Sequence, residues 1–152
     1  MTRFIDLLRK YEHLPPGEQQ SRVEREFPEV SAEGPLHWLR PGEARDPSGI
    51  RLVIGVATYS QDDMRLLDAV AQAVANRNGM PIHVDVFSTL SCKTPGDFDA
   101  YVPGLGNVFQ TPVAGLWIDG VPREKAWGAA ARKLIAGVCR LDSLAEGAAS
   151  HA

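Results

Sequence analysis

Leu52-Val53-Ile54-Gly55-Val56-Ala57 leads directly into Thr58-Tyr59-Ser60-Gln61-Asp62-Asp63, and this passage decides the fold. The continuous apolar run fits a central strand covered on both faces. The polar turn opens an amphipathic helix over residues 61–77, with Met64, Leu67, Val70, Ala71 and Val74 on one face and Asn78-Gly79 at its end. Ile82, Val84 and Val86 then alternate with His83, Asp85 and Phe87, the pattern of a second strand. Strand, helix and strand joined this closely predict a right-handed parallel unit.

Farther on, residues 88–107 read as a loop with one short helix over 97–102. Val113-Ala114-Gly115-Leu116-Trp117-Ile118 is a strand, and Asp119-Gly120 is a hairpin turn because both positions tolerate positive φ. The return strand, residues 122–127, begins on Pro122, which suits an edge. Residues 129–141 form the last helix, with Leu134, Ile135 and Val138 inward. Cys139 belongs with this core face.

Upstream, residues 1–30 predict two short helices. Phe4, Ile5, Leu7, Leu8 and Tyr11 make an apolar stripe opposite Arg3, Asp6, Arg9 and Lys10. His13-Leu14-Pro15-Pro16-Gly17 breaks the first helix. The second, residues 18–27, sets Glu24, Arg25 and Glu26 beside only two anchors, Val23 and Phe27, and Pro28 is expected to stop it. Two readings of the stripe stand. Either it packs on the main domain as an arm, or Phe4, Leu7, Leu8 and Tyr11 join two copies in a homodimer. Residues 35–39 suggest an edge strand, with Trp38 over the core. The division is then a helical extension (1–33), a main domain (34–141) and a polar tail (142–152) expected to fray.

The totals narrow the function. A chain of 152 residues that is 44% hydrophobic suits one globular domain. A net charge of −3 without a basic stripe gives no case for nucleic acid. No stretch has the length of a membrane span or the run of a signal peptide, so a reduced, cytoplasmic setting is the expectation. Cys92 and Cys139 form no C-x-x-C, and His13, His37, His83 and His151 have no ligand spacing, so neither metal nor cofactor is expected.

The order strand, helix, strand, loop, Thr-Pro, strand, Asp-Gly, strand, Gly, helix resembles the thioredoxin fold. Asp119-Gly120, residues 121–127 and Gly128 match the spacing at which that family places Asn-Gly, seven residues and Gly. Thr111-Pro112 falls where the family has its cis-proline, and Ala57 where it ends its first strand on alanine. The resemblance covers about residues 36–141. It implies an α/β protein: a thioredoxin-like three-layer α/β/α sandwich with a mixed sheet and an N-terminal helical extension. The family's Trp-Cys-Gly-Pro-Cys falls on Tyr59-Ser60-Gln61-Asp62-Asp63, so both redox sulfurs are replaced, and its buried acid falls on Ile54. A serine hydroxyl, scarcely ionised near neutral pH, does not replace an attacking thiolate.

Other chemistry is left to a few residues. Ser60 is either a helix cap that accepts from the Asp63 amide while the Asp63 carboxylate reaches back, or a hydroxyl that orients a thiol, as in glutathione-transferase-like members of the fold. Asp62 and Asp63 are adjacent on a helix, about 100° apart, so they do not converge on one proton or ion. Cys92 lies where the second parallel strand opens, and neighbouring Lys93 is expected to lower its pKa. Thr111-Pro112 either shapes a turn or, as the resemblance implies, offers the Thr111 backbone to an extended peptide or glutathione, with Tyr59, Phe109 and Tyr101 as an apolar rim. Trp117 and Trp127 read as packing. The expectation is a redox-inactive thioredoxin-like module holding a protein partner at Tyr59, Ser60, Gln61, Asp62, Asp63, Cys92, Thr111 and Pro112. The alternative is a thiol-dependent oxidoreductase or glutathione-handling enzyme using Cys92 or Ser60.

Overall fold

The structure, a computed structural model, describes residues 2–141. The tail expected to fray lies outside them. The order of elements is α1 (Phe4–Lys10), α2 (Pro16–Ala32), β1 (Leu36–Trp38), β2 (Ile50–Val56), α3 (Gln61–Ala75), β3 (Ile82–Ser88), α4 (Pro95–Asp99), β4 (Val113–Ile118), β5 (Val121–Trp127) and α5 (Ala129–Cys139). A short 3-10 turn, Thr89–Ser91, precedes α4.

The strands form one mixed sheet in the order β1-β3-β2-β4-β5. β1, β3 and β2 are parallel, β4 runs against them, and β5 runs against β4. The apolar run of β2 is central because it is the strand flanked by a parallel and an antiparallel neighbour. The expected hairpin closes on Asp119 (φ 50°) and Gly120 (φ 79°), the two left-handed positions that Asp-Gly supplies. Its return strand, bearing Pro122, is the sheet edge.

Alternation along each strand sends side chains to two unlike faces. Leu52, Ile54, Val56, Val84, Val86 and Ala114 meet α1, α2, α3 and α5 in one large cluster. The other face holds a smaller cluster of Leu39, Val53, Phe87, Phe98, Tyr101, Val102 and Val113 beneath α4 and its flanking loops. Two glycines make room there. A Cβ on Gly55 would lie within 2.5 Å of Val113 Cγ2 and overlap the Phe87 ring, and one on Gly115 would lie 2.7 Å from Trp117. Toward β1 the same face carries charge. Asp85 is fully buried and takes Arg45 at 3.0 Å and Arg51 at 2.8 Å, while Arg51 lies over the Trp117 ring.

Two expectations for the N-terminal segment fail. Pro28 does not stop α2, which runs on to Ala32. Its missing N–H and ring clash disfavour a helix interior by about 3 kcal/mol. Burial of Val23, Phe27 and Val30 on one stripe outweighs that, at about 1.5–3 kcal/mol per side chain. Nor do Phe4, Leu7, Leu8 and Tyr11 offer a dimer surface. The first three are 2–5% exposed inside the chain's own core, and Tyr11 packs against that core while its hydroxyl bonds Glu26. Phe27 fixes this region, its ring tilted on Phe4 at 5.3 Å and edge-on to Trp38 at 5.1 Å.

Candidate functional site

The turn from Ala57 to Asp63 stands where β2 ends and α3 begins. Ser60 is the N-cap of α3, its Oγ accepting from the Asp63 N–H at 3.2 Å. The reciprocal half of the expected capping box is absent. The Asp63 carboxylate turns inward, where it is 1% exposed, accepts the Ala57 N–H at 3.0 Å and pairs with Arg132 of α5 at 2.6 Å. Asp63 therefore ties turn, strand end and α5 together. Gln61 and Asp62 point to solvent, and Tyr59 is 64% exposed beside them.

A second polar bolt lies under this turn. Thr58 Oγ1 and Ser88 Oγ, at the ends of the two central parallel strands, donate to opposite oxygens of Glu24 at 2.5 and 2.6 Å. Thr89 Oγ1 donates to the Val56 carbonyl at 3.1 Å. In the sequence Glu24 stands beside Arg25 and Glu26 on a helix with only two apolar anchors. Neither it nor Arg132 carried a sequence signal, since the partners lie 34 and 69 residues away. Among the described residues every buried side-chain polar atom has a partner.

Beyond the turn, a cleft of about 300 Å³ lies between Tyr59, the 3-10 turn with Cys92, and residues 107–111. Phe109, 78% exposed, stands on its rim, with its ring edge-on to Trp127 at 5.8 Å. The Thr111–Pro112 peptide is cis, Pro112 is buried, and its carbonyl accepts the Gly128 N–H at 2.8 Å. Among the described residues no hydrogen bond engages the Thr111 N–H or C=O. Of the predicted residues, the structure brings Tyr59, Cys92, Phe109 and Thr111 to this cleft, and Asn107, Val108 and Gln110 join them.

Two expectations are corrected here. Tyr101 is not on the rim: it is buried, stacked on Phe87 at 3.9 Å, and burial raises its pKa. Cys92 is not activated by Lys93. It is half-buried, and that burial pushes its pKa up, aided by the negative charge of Asp97 and opposed only by a hydrogen bond from Ser91. Cys139 is buried in the main core, and its pKa is pushed up to about 11. A thiol held in its neutral form is a poor nucleophile.

Among the described residues no group of three or more His, Cys, Asp or Glu is placed to hold a metal ion, and no helix is long and apolar enough to cross a membrane. No protein-family model and no curated protein matches the chain. The site has to be read from its own chemistry: two exposed aromatic rings, an unpartnered backbone unit between them and β4, and no ionised nucleophile.

Proposed function

We propose that the chain is a redox-inactive thioredoxin-like module, working in the cytoplasm, that holds an extended segment of a partner protein along the edge formed by Thr111 and Pro112. One observation carries this reading. The Thr111 N–H and C=O lack a hydrogen-bond partner among the described residues, and they sit in a cleft rimmed by the exposed rings of Tyr59 and Phe109. An extended chain needs from such a site a backbone donor and acceptor for affinity and flanking surface for its side chains. Tyr59 and Phe109 supply large, rigid contact area at little entropic cost.

The commitments of the other residues support the same reading. Ser60 is a cap, Asp63 is locked to Arg132, and the Cys92 thiol is held neutral by burial. Single-cysteine chemistry would need the opposite shift at Cys92. The strand order and the spacing from Asp119 to Gly128 favour the thioredoxin-like description over other mixed α/β sheets.

The test is selection of extended peptides from a random library on the immobilised chain, followed by binding to three variants. Tyr59→Ser and Phe109→Ser should each weaken the selected peptide about tenfold or more, the range for an exposed aromatic anchor, while Cys92→Ser leaves it unchanged. Loss of binding in Cys92→Ser, or indifference to both aromatic changes, would sink the proposal.

A further inference from the structure

The sheet has a second open edge, on the far side from β1. Gly128 N–H donates to the Pro112 carbonyl, which fixes the alternation along the β4–β5 ladder. Pro112 accepts from Gly128, and residues 114 and 126, and 116 and 124, fall on the bonded pairs, so the N–H and C=O of Lys125 and Trp127 point away from β4. No hydrogen bond among the described residues takes them up. Pro122 has no N–H to offer, so Lys125 and Trp127 set the register of anything that pairs here.

This edge is the floor of a groove of about 960 Å³. Leu134 and Val138 of α5 overhang it on one face of the sheet, and Val102 and Trp117 on the other. Its charge is one-sided: Arg123, Lys125 and Lys133 line it against the single carboxylate of Glu124. None of the three cations is in an ion pair among the described residues. The same charges disfavour a second copy. Antiparallel pairing of two β5 strands about Glu124 sets glutamate on glutamate and Arg123 on Lys125, and pairing about Lys125 sets lysine on lysine.

We propose that β5 receives a sixth strand from a partner protein: an extended acidic segment with apolar side chains at alternate positions. Its backbone pairs with Lys125 and Trp127, its carboxylates answer Arg123 and Lys125 on one face, and its apolar side chains reach Leu134 and Val138 on the other. This site is separate from the cleft at Thr111 and does not depend on it.

The probe is an end-blocked heptapeptide alternating glutamate and valine, titrated into the full chain labelled for amide NMR. Shifts and slowed exchange are expected at the Lys125 and Trp127 amides, with Tyr59 and Thr111 unmoved. Arg123→Glu combined with Lys125→Glu should weaken binding about tenfold or more. Lysine in place of the peptide's glutamates, or N-methylation of alternate peptide amides, should abolish it. The proposal is overturned if either altered peptide binds as well as the first, or if nothing binds at about 1 mM. It also falls if the shifts centre on Thr111, a result that would favour the cleft instead. Stronger binding to a chain ended after Leu141, by about tenfold or more, would assign the groove to residues 142–152 and equally end the proposal.

Discussion

The two faces of the sheet are built on different principles. The face toward α1, α2, α3 and α5 is a continuous apolar core in which Phe27, Leu7, Leu52, Ile54 and Met64 are at most 2% exposed. The opposite face is covered by one five-residue helix and loops. Its space is filled by rings lying over glycines and, toward β1, by Asp85 between two arginines. Stability concentrates on the first face. The residues that line the cleft, 89–111 apart from Tyr59, belong to the loop that covers the second. A thinly covered face leaves that loop free to carry Phe109 and Thr111 outward, because few contacts tie it down.

The largest effect expected from this contrast is at Phe27. Phe27→Ala should lower unfolding stability by about 3–5 kcal/mol in urea titrations. Phe98→Ala, on the loop-covered face, should cost clearly less. Equal losses would break the distinction between the faces.

An intermediate effect is expected where the second face is tightest. Gly55→Ala inserts a methyl into the Phe87 ring and the Val113 side chain, so it should cost about 1–3 kcal/mol by overpacking. The change should also shift the near-ultraviolet signal of the stacked Phe87–Tyr101 pair. A neutral Gly55→Ala would mean that this face yields more easily than its contacts suggest.

The smallest effect concerns how the first face is fastened at its rim. Asp68 accepts the Phe4 and Ile5 N–H groups at 2.6 and 3.0 Å, yet burial raises its pKa above the ordinary aspartate value and outweighs those bonds. A raised folded-state pKa means the folded protein binds this proton more readily than the unfolded chain. The contribution of Asp68 to stability is therefore fully present below about pH 4, the ordinary aspartate value, and is lost as pH rises through the raised value. Denaturant midpoints of Asp68→Asn relative to the parent should rise across that window. A flat difference would show that Asp68 titrates normally.

Much of the fold was legible because its signals are local. The apolar run of β2, the helical period of α3, the alternation of β3 and the Asp119-Gly120 turn each lie within a few residues, and all appear where expected. Pro28 misled because a local penalty was read without the tertiary stripe of Val23, Phe27 and Val30 that overrides it. At the site, the sequence marked Tyr59, Cys92 and Thr111 and named the Ser60 cap, since these follow from position at strand ends and helix starts. It misjudged Cys92 because Lys93 is adjacent in sequence, whereas burial, which controls the thiol, comes from residues packed around it.

The order and kind of the elements, the edge position of β5 and the absence of a dithiol from the β2–α3 turn can be read from the residues alone. Backbone propensity and hydrophobic period are written in neighbouring residues. What the polar side chains do follows from the packed fold. Glu24 meets Thr58 and Ser88, Asp63 meets Arg132, and Asp85 meets Arg45 and Arg51 across separations of 34 to 69 residues. Burial and ion pairing depend on distances through space, and chain order does not encode those one residue at a time.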